Sequence, residues 1–183
     1  MDKQQMSPAR RVAYASVITA LSVVLLYLLH VLPTLRAAML FVLALLPGVL
    51  AYEGRFVEGL LSFVAAALLS LLLVPVSGPW LMYVGFFGWY GAVHEMIVTR
   101  FGRVASWSVL AVLFNIAFFT LYFLFQTLLL QDFTPPAWLG GLPLLVYLIP
   151  AAEIGFVVFE VLFGMCRAYY IARIRKLLIG HSA

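Results

Sequence analysis

The sequence predicts an all-α, polytopic membrane protein, a bundle of about six transmembrane helices with its N- and C-termini in the cytoplasm. Three observations carry that prediction. Of the 183 residues, 66% are hydrophobic and 10% charged, against roughly half and a quarter in a soluble domain, and the mean hydropathy is +1.12. The apolar residues gather into runs of spanning length, about 20 residues, parted by short polar or Pro- and Gly-containing breaks. Ten of the eleven basic residues fall on one side of the resulting topology, the asymmetry of cytoplasmic loops.

The same composition excludes several classes. Eighteen charged side chains could not hydrate the surface of a water-soluble enzyme of this length. Fifteen Phe, nine Tyr and four Trp, with no polar tract or tandem repeat, argue against disorder and against a solenoid. Cys166 is the only cysteine, so the chain has no internal disulfide and no Cys-based metal or redox motif. A net charge of +4 comes without the continuous basic stripe of a nucleic-acid groove, and no nucleic-acid partner is expected.

The elements follow in order. Residues 1–11, MDKQQMSPARR, are polar and basic and lack an AxA-type cleavage site before the next polar break, which predicts a retained cytoplasmic tail. Breaks at Pro33 to Arg36, Glu53 to Arg55, Pro75 to Pro79, Thr99 to Arg103 and Gln131 to Gly141 delimit spans 12–32, 37–53, 56–75, 80–98, 105–130 and 142–171. Residues 12–171 are thus the transmembrane domain and 172–183 a basic cytoplasmic tail. The second span is short and carries Pro47-Gly48, which predicts a kink, a re-entrant segment or packing inside the bundle. Lys3, Arg10, Arg11, Arg55, Arg100, Arg103, Arg167, Arg173, Arg175 and Lys176 lie inside, leaving Arg36 outside. Trp80 and Trp138, in the two outer loops, suit the water–lipid interface.

No paired-His metal motif, GxSxG elbow, Asp cluster or Walker lysine occurs, so neither an enzyme nor a cofactor or metal is expected. His30, His94 and His181 fall at the outer end, the inner end and the tail. Ionisable groups within spans are costly and mark pathways, ligands or partners. Glu153 lies about 16 Å into the sixth span, near mid-membrane; Glu160 follows on roughly the same face, and Asn115 reaches a similar depth in the fifth span. These three make a polar pocket, or they serve as packing glue between helices. Toward the outer face, Tyr27, His30, Arg36, Trp80, Tyr83, Tyr122, Gln126 and Tyr147 line a cup for a small polar or aromatic solute, or form an aromatic belt. Pro150, three residues before Glu153, kinks the sixth helix and favours a site there. On the cytoplasmic side, Glu53, Arg55 and Glu58 form a charged short turn and His94 and Glu95 precede Arg100 and Arg103; most of these read as solvated loop ends. Ala13, Ser16 and Ala20 give the first helix a small-residue face, with Ser16-xxx-Ala20 in the spacing that admits another helix. Ala65 to Ala67 and the series Gly85, Gly88, Gly91 read as close-packing surfaces within the bundle.

With these residues placed, the whole chain resembles the substrate-binding membrane subunits, or S components, of energy-coupling-factor transporters. The likeness lies in size, six spans, cytoplasmic termini, the leader RRVAYASVITALSVVL entering a small-residue first helix, and the early LPG of the second span. It implies that the first helix docks on a membrane coupling subunit driven by ATPase subunits, with Ser16-xxx-Ala20 at the position of that family's Ala-xxx-Ala surface. It also implies a pocket near the outer face for a vitamin, its precursor or a metal ion. The leader contains no His, unlike the nickel and cobalt members. The segment YVGFFGWYGAVHEMIVTRFGR also resembles one in bacterial membrane proteins of this general type.

The function expected is therefore capture of a small, vitamin-like solute, with Glu153, Asn115, Trp80, Tyr83, Tyr122, Gln126, Tyr147, Arg36 and His30 as solute contacts and Ser16, Ala20 and Ala13 facing the partner. Membrane lipids surround the bundle. The alternative is a scaffold similar to the MreD-type cell-shape subunit, although the chain has no Asp between Asp2 and Asp132 to supply that family's glycine-then-aspartate pattern. An autonomous channel or carrier is disfavoured by the lack of an inverted repeat.

Overall fold

A computed structural model describes residues 8–73, 76–128 and 145–175. The leader up to residue 7, Pro75, the segment expected as an outer loop with Asp132 and Trp138, and the residues from Lys176, with His181, lie outside the described residues. The described residues form helices joined by short turns, with no strand among them. Five helical segments are long and apolar enough to cross a membrane: Arg11–Val31, Pro33–Tyr52, Phe56–Leu73, Arg103–Leu128 and Leu145–Arg173. That is the makeup of a multi-pass membrane protein.

Local chemistry sets the helix ends. Helix α1, Pro8–Val31, starts on a proline, whose missing N–H is no loss in a first turn, and stops short of Pro33, which bars Leu32 from helical geometry. A short 3-10 turn, Pro33–Leu35, leads into α2, Arg36–Tyr52. Pro47 sits inside α2 without ending it, so the second span is a full helix. Gly54 ends it in the left-handed region, φ 77°, where its N–H bonds Ala51 O at 2.9 Å and that of Arg55 bonds Leu50 O at 3.0 Å. Helix α3 is Phe56–Leu73. After extended Ser77 the chain runs as one helical rod through α4, Gly78–Met82, a π-turn, Tyr83–Phe87, and α5, Gly88–Arg100. Helix α6 is Arg103–Leu128 and α7 is Leu145–Tyr169, the latter continued by a second π-turn, Tyr170–Ile174.

The fourth expected span, 80–98, is thus helical, but it is not among the five apolar segments. Gly85, Gly88, Gly91, His94 and Glu95 dilute its hydropathy.

The chain divides into two compact units, Met1–Leu121 and Tyr122–Ala183. In the first, α2 packs most extensively on α5, and α3 packs on both α1 and α2. Small residues make this possible. A Cβ added at Gly91 would run into the Ala44 carbonyl, and one at Gly59 would stand 2.7 Å from the Pro47 carbonyl. Backbones in contact at these points bring α2, α3 and α5 together, the packing that lipid-embedded helices favour because burial from lipid gives no hydrophobic gain. Leu26, Leu29, Leu40, Leu43, Ala66 and Tyr83 form a buried core cluster beside it. The second unit is dominated by α7, whose buried residues are Phe156, Glu160 and Phe163.

Candidate functional site

Helices α1 and α3 enclose an open groove of about 640 Å3. Ala15, Ser16, Thr19 and Ala20 line it from α1; Leu61, Ser62, Ala65 and Leu69 line it from α3. Ala15, Ser16, Thr19 and Ala20 keep the α1 wall low, and on α3 Ser62 and Ala65 lie between Leu61 and Leu69; residues at three- and four-residue spacing fall on one face of each helix. Arg11 and Glu58 close one end: Arg11 donates its Nε to Glu58 Oε1 at 2.9 Å and also pairs through Nη2. Deeper in, Thr19 Oγ1 bonds Ala15 O at 2.9 Å and Ser62 Oγ bonds Gly59 O at 2.8 Å, so these hydroxyls are satisfied by their own helices. The floor is therefore shaped and nearly apolar, suited to van der Waals contact with another helix.

Two of the three residues expected to face a partner belong to this groove. Ser16 and Ala20 are exposed and line it, whereas Ala13 is exposed outside its lining. Ala15 and Thr19 flank the Ser16-xxx-Ala20 pair on α1 and are not part of that motif, and the α3 face escapes a reading confined to one helix. The signal that would have found them is the matching row Leu61, Ser62, Ala65, Leu69 on the third span. Of the alanine triplet, Ala66 is buried and Ala67 packs on the core, while Ala65 opens onto the groove.

The residues expected to contact a solute are distributed over both units. In the first, Tyr83 is completely buried, with its ring 5.6 Å from that of Phe63. Its Oη meets no partner at normal hydrogen-bond geometry. Ser22, whose Oγ donates to Ile18 O at 2.9 Å, is the hydroxyl facing it. Trp80 is half-buried and donates its indole N–H to Ser70 Oγ at 3.0 Å, and Ser70 in turn donates to Ala67 O at 2.9 Å. That relay ties α4 to α3. His30 and Arg36 are exposed on either side of the Pro33–Leu35 turn, and Tyr27 is exposed a turn earlier. Asn115 is half-buried on α6 and donates Nδ2 to Ala111 O at 3.0 Å within its own helix.

In the second unit, Gln126 donates to Tyr122 Oη at 2.7 Å along α6. Tyr147 and Glu153 are half-buried on α7, and Glu160, two turns beyond Glu153, is buried.

One expectation is overturned at the opposite end of the rod. His94 and Glu95 are not solvated loop ends: they are 3% and 9% exposed. The close Gly48–Gly91 approach brings α5 against α2, and the Tyr90 ring covers His94 at 5.7 Å. Glu58, likewise expected as a loop charge, is engaged by Arg11. Among the described residues no group of three or more His, Cys, Asp or Glu stands close enough to hold a metal.

Comparison with known protein families, curated proteins and solved structures returns no match for this chain.

Proposed function

We propose that the protein is the substrate-capture subunit of an ATP-driven uptake transporter, similar to an S component, binding a small vitamin-like solute near the outer face and docking on a coupling membrane subunit. The observation that carries the reading is the groove between α1 and α3, because Ser16 and Ala20, the residues that the sequence resemblance assigns to the partner, line it. An α1 wall of small side chains is what a partner helix needs in order to approach closely in lipid.

In this proposal the chain crosses the membrane six times, with both termini inside. Gly78–Arg100 is then the fourth crossing; its 23 residues extend about 34 Å, enough for a hydrocarbon core of about 30 Å. If Gly78–Arg100 does not cross, five spans remain and the termini lie on opposite sides. Tags at the two ends with a membrane-impermeant label distinguish these topologies.

Glu153 is the group we propose to hold the polar end of the solute, since a carboxyl within a span is retained against its solvation cost. Tyr122 and Tyr147, in the same unit as Glu153, offer aromatic faces. Glu153→Gln should weaken solute binding while leaving expression intact; unchanged affinity would remove Glu153 from the site. Ala20→Leu should leave solute binding intact and abolish uptake by filling the groove.

The deciding experiment is gentle purification from native membranes, with mass spectrometry of copurifying proteins and of small molecules released on denaturation. Two ATPases with a membrane coupling protein, or a retained vitamin-like compound, would support the transporter. Cell-wall synthesis proteins with no small molecule would overturn it in favour of the scaffold.

A further inference from the structure

Helix α7 is longer than a bilayer needs. The segment Leu145–Arg173 has 29 residues, about 42 Å from end to end, against about 30 Å of hydrocarbon. From Leu145 to Arg167 the helix rises about 33 Å, which places Arg167 at the edge of the apolar layer when Leu145 stands at the other edge. The remaining turns carry a distinct composition. Tyr169 is 57% exposed, Arg173 and Arg175 are exposed, and no acid occurs anywhere after Glu160. Arg173 and Arg175 therefore project at one end of the helix, with half-buried Arg167 two turns before Arg173 and exposed Tyr169 at the depth where aromatic residues favour headgroups.

The local geometry adds specificity. The guanidinium of Arg173 lies over the Tyr169 ring, with Cζ 5.9 Å from the centroid. Stacking occupies one face of the guanidinium and leaves its N–H fork, which lies in the plane, able to donate to two oxygens of a phosphate. Among the described residues no carboxylate pairs with Arg173. We infer that the Tyr169–Arg175 end of α7 is a binding site for anionic phospholipid headgroups. Arg173 donates to the phosphate, Tyr169 holds its guanidinium, and Arg167 and Arg175 add charge. The inference does not depend on the transport reading or on which leaflet this end faces.

Native mass spectrometry of the full chain in a neutral detergent, with added phosphatidylglycerol or phosphatidylcholine, tests the site. Phosphatidylglycerol should be retained in preference to phosphatidylcholine. Arg173→Gln should lower that retention about fivefold, and the Arg173→Gln/Arg175→Gln pair about 25-fold, the scale expected for basic residues at an anionic surface. Tyr169→Phe should retain the lipid and Tyr169→Ala should lose part of it, because the ring face is what holds the guanidinium. Arg103→Gln, at an exposed arginine of α6, should change nothing. Equal retention of both lipids, or an equal loss in Arg103→Gln, would overturn the site in favour of general charge attraction. Displacement of the lipid by excess inorganic phosphate would likewise overturn it, making this a site for a free anion.

Discussion

The helical rod Gly78–Arg100 and helix α6 exchange the roles that a soluble protein would give them. In α5, whose rod holds four glycines and which itself carries a histidine and a glutamate, seven of 13 residues are buried. In α6, one of the most apolar stretches of the chain, three of 26 are buried. Two of those three, Ser106 and Ala117, are small, whereas Val112, Ile116, Phe119 and Phe123 are exposed. The inversion follows from the solvent. When the surroundings are hydrocarbon, large apolar side chains gain nothing by turning inward, and the interior goes to residues that permit close backbone approach or that carry polar atoms needing shelter.

Substitutions can break or sharpen that contrast. The largest effect is expected at the start of the π-turn: Tyr83→Ala removes a fully buried ring from the core cluster and should cost about 3–5 kcal/mol in detergent unfolding experiments. Tyr83→Phe keeps the ring and removes a buried hydroxyl without a well-formed hydrogen bond. It should leave stability unchanged or raise it by about 1 kcal/mol.

Next in size is Ile116→Lys, midway along the exposed face of α6. A charge at the centre of a lipid-facing helix costs about 3 kcal/mol in insertion assays; normal insertion would show that this face does not meet lipid. Gly91→Ala follows, at about 2 kcal/mol, because its Cβ meets the Ala44 carbonyl and backbone yields less than side chain. The smallest effect should be Gly155→Ala on the exposed side of α7, where a Cβ meets nothing within 4 Å. It should stabilise by up to about 1 kcal/mol through helix propensity alone. If Gly91→Ala and Gly155→Ala behave alike in thermal unfolding, close approach is not what joins α2 to α5.

The helix boundaries were largely legible in the sequence. Expected limits of 37–53 and 105–130 correspond to Arg36–Tyr52 and Arg103–Leu128, since Pro33, Gly54 and Gly102 stop helices by steric and entropic rules that act locally. What each helix faces was less legible. Gly85, Gly88 and Gly91 were rightly read as packing surfaces; Gly88 abuts Phe63 and Gly91 abuts α2. His94 and Glu95, by contrast, read as solvated because charged residues at helix ends usually are. Their burial depends on the contact of α5 with α2, which is distant in sequence. Tyr83 illustrates the same gap, since an outer-facing aromatic and a core tyrosine are identical in sequence. Of the candidate site, the α1 half of the groove was visible in Ser16-xxx-Ala20, while its α3 half required knowing which helix lies beside α1.

The π-turn at Tyr83–Phe87 means that the rod contains one residue more than an α-helix joining the same two faces would require. Deleting one residue within that turn would restore α-geometry while keeping Trp80 directed at α3 and Gly91 directed at α2. Deleting one within α5 would instead rotate everything beyond it by about 100°. The turn is thus the point at which this helix can shorten without losing its partners, and natural length variants of the chain should differ there before they differ elsewhere in the rod.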